Sequence, residues 1–246
     1  AITRAQFATP HPELRRYITT YYIAEVDSPD GSEICDLLHP EWGSVRFLCR
    51  GAARGSVIPN PMVAMPAIAI AGPTSRAAPV ACVSMRVASF GLLPLGWHRF
   101  IGQPAHQFAD RSVEPSEIAA RIDVSSLFPA VQAAETLTEI AAIFDSFLLE
   151  KSQSQRQVDS QEETNIEATH RAIVDPEVAA VSELTERLGI TTVQLERLSK
   201  RVFGFPPKLL LRRQRFLRTL ALVLRQPQAK WAEVLDPRYY DQAHLN

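Results

Sequence analysis

Residues 181–205, VSELTERLGITTVQLERLSKRVFGF, read as two helices joined by a tight turn. Val181, Leu184 and Leu188 fall at helical spacing, and Gly189 follows where a residue without Cβ enters the left-handed region and ends the helix. Thr191 then stands as the N-cap of a second helix whose inward stripe is Leu195, Leu198 and Val202. Gly204, Pro206 and Pro207 close it. The outward face holds Thr192, Glu196, Arg197, Lys200 and Arg201, the polar and cationic set that suits a helix lying in a DNA major groove. Two packed helices with a Gly turn also occur in many all-helical domains, so the pair alone does not decide a function.

The sequel adds weight. Residues 206–225, PPKLLLRRQRFLRTLALVLR, begin with prolines suited to a helix start and place Leu209, Phe216, Leu220 and Val223 on one expected apolar side. Lys208, Arg212, Arg215 and Arg218 follow at helical spacing. Residues 197–230 contain no Asp or Glu, while Arg197, Lys200, Arg201, Lys208, Arg212, Arg213, Arg215, Arg218, Arg225 and Lys230 are all basic. An ordinary solvated face mixes both signs, so this segregation points to a polyanion partner.

On these residues the chain resembles the AraC-type family of bacterial transcription regulators, whose DNA-binding domain holds two helix-turn-helix units linked by a long helix. The resemblance is carried by LTERLGITTVQLERLSKRVFGFPPKLLLRRQRFLRTLALVL at residues 184–224 and by YYDQAHLN at residues 239–246, and it covers roughly residues 166–246. It implies groove-facing roles for Thr192, Val193, Glu196, Arg197 and Lys200 in the first unit, and for Asp241, Gln242 and His244 in the second. Arg201, Lys208 and Arg212 are expected at DNA as well, mostly against phosphates. The sequence stops at Asn246, inside the expected second recognition helix, where the family continues; weak DNA binding by this chain is therefore expected.

The 246 residues, 46% of them hydrophobic, are enough for two domains with their own cores. A net charge of −1 hides an asymmetry: residues 1–150 carry 11 Arg and no Lys against 15 acidic residues, and residues 151–246 carry 15 basic against 12 acidic. The cationic end is the candidate nucleic-acid end. Cys35, Cys49 and Cys82 are an odd set without metal-ligand pairing, read as small buried residues in preference to a redox sensor. The longest apolar run, residues 62–71, is too short to span a bilayer and no signal peptide is evident, so a cytoplasmic location without a membrane partner is expected.

In the N-terminal half, Thr20 to Ile23 reads as a strand, and Val45, Phe47 and Cys49 alternate with Ser44, Arg46, Leu48 and Arg50 as a half-buried strand does. Residues 67–71 and 80–90 are further strand candidates, separated by Pro and Gly. Short strands with such punctuation favour an antiparallel barrel or jelly roll. Residues 91–113 follow neither period and are expected to form a loop and short helix across the barrel mouth. His39-Pro40-Glu41, Gly72-Pro73-Thr74, Gly91-Leu92-Leu93-Pro94 and Gly102-Gln103-Pro104-Ala105 resemble the N-terminal sensory domain of one subgroup of the same family, over most of residues 12–117. That resemblance implies a cupin-like β-barrel. The expected fold class is thus α+β, an N-terminal antiparallel β-barrel of cupin or jelly-roll type with helices, followed by an all-α helix-turn-helix domain.

Catalytic and metal signatures are weak. His39, His98 and His106 are scattered without a His-x-His pair, although folding could gather His39, Glu41 and His98. Ser84 and Ser89 lack a glycine elbow and there is no Gly-rich phosphate loop, so neither an enzyme nor a cofactor is expected. Trp42, Phe47, Phe90, Trp97 and Phe100, with Met62, Met65 and Met85, either line an apolar effector pocket with Arg86, Arg99 or His98 as polar contacts, or are plain core.

From Pro115 to Glu150 the chain reads as helical, first at residues 118–122 and then along Leu137, Ile140, Ile143, Phe144, Phe147 and Leu148. That apolar face either packs on its own barrel or pairs with a second subunit, as such helices do in members of the family, giving a homodimer. Residues 151–164, KSQSQRQVDSQEET, read as a linker. The expected organisation is a sensory and dimerisation domain at 1–150, a linker at 151–165 and a DNA-binding domain at 166–246. Two functions fit: a DNA-binding transcription regulator answering to its N-terminal domain, or a non-enzymatic partner-binding module with only nonspecific phosphate affinity.

Overall fold

A computed structural model of the chain describes residues 2–154 and 160–225. The expectations placed on Lys230, Asp241, Gln242 and His244 lie outside the described residues. Among the described residues the antiparallel strands are β1 (Ile2–Ala8), β2 (Ile18–Asp27), β3 (Ile34–Leu38), β4 (Ser44–Gly55), β5 (Val63–Ala64), β6 (Ile68–Ala71), β7 (Ala78–Leu92) and β8 (Ser112–Val113), with α1 (Pro94–Gly96) between β7 and β8; α2 (Phe128–Ala133), α3 (Leu137–Ser154), α4 (Ser160–Val174), α5 (Val181–Leu188), α6 (Thr192–Leu198) and α7 (Pro207–Arg225) follow. The α+β class read from the sequence holds.

The sheet runs in the order β1-β2-β7-β4-β6-β8, with β3 added to β7 and β5 to β4. Strand β7 is its spine. Ala78–Cys82 pair with β3, Ser84–Leu92 pair with β2, and the opposite edge pairs with β4. Two register shifts bend β4, between Leu48 and Arg50 and between Gly51 and Ala53. Gly51 makes this possible, because its φ is +78° and a Cβ there would collide with the Ser84 carbonyl.

The pleat gives the sheet two different faces. Tyr21, Ile23, Val45, Phe47, Ile70, Ala88 and Phe90 belong to the main core, while their neighbours Tyr22, Ala24, Arg46, Ala69, Ala71, Met85 and Val87 border a cavity. Helix α3 covers the core face with Ile140, Phe144 and Leu148, all fully buried at i, i+4 and i+8. The Phe144 ring lies 5.0 Å from Phe90, 5.3 Å from Tyr21 and 5.7 Å from Phe47. Asp145 fastens the same helix, accepting from the Tyr21 hydroxyl at 2.7 Å and from the His11 amide at 2.9 Å. The apolar stripe of α3 is thus spent on its own sheet. No described helix is long and apolar enough to cross a membrane.

Two sequence expectations are corrected, at residues 118–122 and along α7. Residues 118–122 are not helical: Ala119 O accepts from Gln103 Nε2 and the Arg121 amide donates to Ile101 O, tertiary bonds that replace a helical ladder. Within the stretch expected as a linker, residues 151–154 are the end of α3 and residues 160–164 the start of α4, where Gln, Glu and Lys are good helix formers and Glu163 accepts from Arg99. Finally, α7 does not bury the side marked by Leu209, Phe216, Leu220 and Val223, which are half-buried; it buries Pro207, Leu210, Leu211, Arg213, Gln214 and Thr219. The face a helix buries follows what it docks on, and α7 docks on the sheet domain through Arg213.

Candidate nucleic-acid interface and its junction with the sheet

The helix pair is built by its caps. Glu183 Oε2 accepts from the Ala179 and Ala180 amides at 2.7 and 3.3 Å and so starts α5. Gly189, at φ +64°, ends it, with its amide bonded to Glu186 O and the Ile190 amide to Thr185 O. Thr191 and Gln194 cap α6 reciprocally: Thr191 Oγ1 accepts from the Gln194 amide at 3.2 Å, and Gln194 Oε1 accepts from the Thr191 amide at 2.9 Å. After α6 the helix widens over Ser199–Phe203 and stops at Gly204, φ +84°.

This geometry turns Leu184, Leu195, Val202 and Phe203 into the core. It leaves Thr192, Val193, Glu196 and Arg197 of α6 and Lys200 of the widened turn exposed on one side, with Val193 at 77% exposure. A bare valine of that exposure beside cations is a surface suited to an apolar contact such as a thymine methyl. Lys208 and Arg212 are exposed at the start of α7. Arg201 is different: it is half-buried and its Nη1 lies 2.5 Å from Glu162 Oε1 of α4.

Sequence reasoning missed the junction between the helix-turn-helix unit and the sheet. Arg213, one of the basic residues of the acid-free stretch 197–230, is 3% exposed. Its guanidinium lies 3.6 Å from the Trp42 ring centroid, and Nη1 donates to Glu41 O at 3.1 Å and to Thr74 O at 3.0 Å. Burial pushes its pKa below the ordinary arginine value. Trp42 also meets the edge of His170 of α4, centroids 5.3 Å apart, and Phe203 at 5.9 Å. Burial, aided by the Arg213 cation, lowers the His170 pKa to about 4.

A second contact lies where α1 continues into a widened turn at Trp97–Ile101. Arg99 Nη1 donates to Glu163 Oε1 at 3.0 Å and Nη2 to Ser152 O at 2.7 Å. Arg16 approaches Glu163 at 3.4 Å and Glu167 at 2.9 Å. His98 Nε2 lies 3.7 Å from Glu162 Oε2, and burial pushes the His98 pKa down against the pull of that carboxylate. Arg99 and His98, expected as pocket contacts, thus bind the two halves together.

The pocket residues are redistributed. A cavity of about 660 Å³ opens on the sheet face away from α3, and of Trp42, Phe47, Met85, Phe90 and Trp97 only Met85 borders it. Phe47, Phe90 and Trp97 are core, and Trp42 belongs to the junction. The pleat explains this: aromatic residues one step out of phase with the cavity wall point to the helix-covered face. His39 and Glu41 border the cavity, but His98 does not join them. Among the described residues, no three His, Cys, Asp or Glu side chains gather as a metal site would require.

The chain therefore unites an antiparallel sheet domain with a helix-turn-helix unit docked against it. No family model and no curated protein matches its sequence. Among solved structures it is similar to ToxT from Vibrio cholerae, with 8% identity over 95% of this chain and 88% of that one and a TM-score of 0.43. It is also similar to the AraC-like transcriptional activator CuxR, with 11% identity over 89% and 87% and a TM-score of 0.31. A cupin superfamily protein from Desulfitobacterium hafniense matches 37% of this chain and 78% of its own, with 7% identity and a TM-score of 0.29.

Proposed function

We propose that the chain is a sequence-specific DNA-binding transcription regulator, in which residues 166–246 bind DNA and residues 1–150 modulate them. The observation that carries the reading is the bare outer side of α6. Thr192, Val193, Glu196, Arg197 and Lys200 are all exposed while Leu195 of the same helix is fully buried. A short helix that spends one stripe on the core and presents polar, cationic and one apolar side chain on the other has the composition of a groove reader. In this reading Arg197 contacts guanine O6 and N7, Glu196 accepts from a cytosine amino group or aligns Arg197, and Lys200, Lys208 and Arg212 hold phosphates.

The 19 residues of α7 form a rod of roughly 30 Å at 1.5 Å per residue, close to the 34 Å pitch of B-DNA. Two reading heads on such a rod, the second supplied by residues that follow α7, would reach successive major grooves on one face of the duplex. A small-molecule effector is part of the reading, because a cavity of about 660 Å³ falls within the size range of ligand sites.

The test is random-sequence selection with the gene's full-length product at fixed physiological salt. Enrichment of two half-sites about one helical turn apart supports a regulator. No enrichment assigns the cations to nonspecific phosphate affinity and makes the protein a partner-binding module.

A further inference from the structure

The cavity on the sheet face away from α3 is bordered by Ala24, Met65, Val80, Met85 and Val87. Ala24 and Val87 are register partners, and Gly55 of β4 is paired with Val80 on one side and Val63 on the other. Partners across a ladder point to the same face, so these strands present a continuous apolar wall. The wall stays apolar where it reaches water, since Leu38 and Val63 also border the cavity at 38% and 62% exposure.

Charge on the border runs the other way from what an anionic ligand needs. Four carboxylates, those of Glu41, Asp110, Glu114 and Glu117, face two guanidiniums, those of Arg46 and Arg111. Arg111 is exposed, where water and salt screen it. Arg46 is the cation of the wall, its side chain 13% exposed, and its Nη2 is already ion-paired with Glu41 Oε1. Its Nε is buried and has no hydrogen-bond partner among the described residues. A buried donor without an acceptor costs free energy that a ligand oxygen recovers. A carboxylate brought to that donor would share one guanidinium with Glu41, and two carboxylates at one site repel. A hydroxyl or carbonyl oxygen accepts from Nε and leaves the ion pair intact. A cationic ligand finds no better footing: Glu41 is held by Arg46, Asp110 Oδ1 and Oδ2 accept from the Ser75 amide and hydroxyl at 2.6 and 2.8 Å, and Glu114 and Glu117 are exposed.

We propose that the cavity takes an uncharged long-chain alcohol or carbonyl compound, its oxygen on Arg46 Nε and its chain along the Ala24, Met85 and Val87 wall, and that the Glu41–Arg46 pair rejects the corresponding carboxylate. This rests on the effector part of the function proposed above and names the chemical class of that effector.

The experiment is calorimetric titration of the chain with decanol, decanoate and decylammonium at neutral pH, without DNA. Decanol is expected to bind saturably and at least about tenfold more tightly than either charged analogue. Any apolar cavity favours an alcohol over an acid to some extent, so Glu41→Gln supplies the specific arm. It frees Arg46 for an anion and is expected to tighten decanoate at least about fivefold while leaving decanol within about twofold. Ala24→Phe, which fills the cavity, is expected to weaken decanol at least about tenfold. Decanoate or decylammonium binding the wild-type chain as tightly as decanol overturns the proposal and leaves an effector cavity standing. Saturable binding by none of the three overturns the proposal and the effector reading together. Unchanged decanoate affinity in a folded Glu41→Gln, or undiminished decanol binding to Ala24→Phe, overturns the assignment to this pair and this wall.

Discussion

Glu163 Oε1 accepts a 3.0 Å hydrogen bond from Arg99 Nη1, joining α4 to the turn that follows β7 with both side chains buried. The pair lies in a stretch whose composition alone reads as a linker. The two halves also share one apolar cluster, which runs from Tyr21 and Phe90 through Phe144 to Val202, Phe203 and Leu210, while a smaller second cluster gathers Val26, Ala53, Cys82, Met85 and Val87.

Removing one partner strands the other. Glu163→Ala leaves the Arg99 cation buried with only a backbone acceptor, at an expected cost of about 3–5 kcal/mol. Urea unfolding measures it, and a loss under about 1 kcal/mol would show that water reaches the site and screens the pair.

Phe144→Ala deletes the ring that touches Tyr21, Phe47 and Phe90 and opens a void between α3 and the sheet. The expected loss is about 3–5 kcal/mol, read from the denaturant midpoint at unchanged slope.

Gly204 and Gly189 both have positive φ, but their surroundings differ. Around Gly189 nothing lies within 4 Å of a new Cβ, so Gly189→Ala carries only the left-handed backbone cost, about 1 kcal/mol. Gly204→Ala adds a collision with Pro73 and is expected to be the more damaging by thermal denaturation. Equal losses would mean that the Pro73 loop yields freely.

His170 gives the junction an acid limit. Its folded pKa, about 4, lies below the ordinary value of 6.5, so between these values the unfolded chain binds the proton that the folded chain refuses. Stability is therefore complete above pH 6.5 and falls as pH drops towards 4, by at most about 1.4 kcal/mol per pH unit from this group. His170→Phe is expected to flatten that decline, measured as unfolding free energy at pH 7 and pH 5.

On DNA, Arg197→Ala is expected to cost about 1–3 kcal/mol and to relax preference at one base position. Arg212→Ala should weaken all sequences alike and reduce the salt slope by about 1. Competition among operator variants distinguishes them, and a uniform loss for Arg197→Ala would remove it from the base-reading set.

Local features were legible because they depend on neighbours in the chain. The Gly189 turn, the Thr191 cap, the alternation of β4 and the stripe of α3 follow from backbone sterics and periodic burial, which a sequence displays directly. Strands β1, β3, β5 and β8 leave no periodic signal, since β1 and β3 are largely exposed and β5 and β8 have two residues each.

The sequence by itself determined that a capped helix pair turns Thr192, Glu196, Arg197, Lys200 and Arg201 outward and that antiparallel strands precede it. Only the tertiary structure decided which cations remain outside. Arg213 and Arg212 are adjacent and chemically identical, yet one is buried over Trp42 and the other is exposed. Successive residues on a helix point about 100° apart, so the choice belongs to the surface on which the helix docks, and that surface is assembled from residues 41–42 and 73–74, more than a hundred positions away.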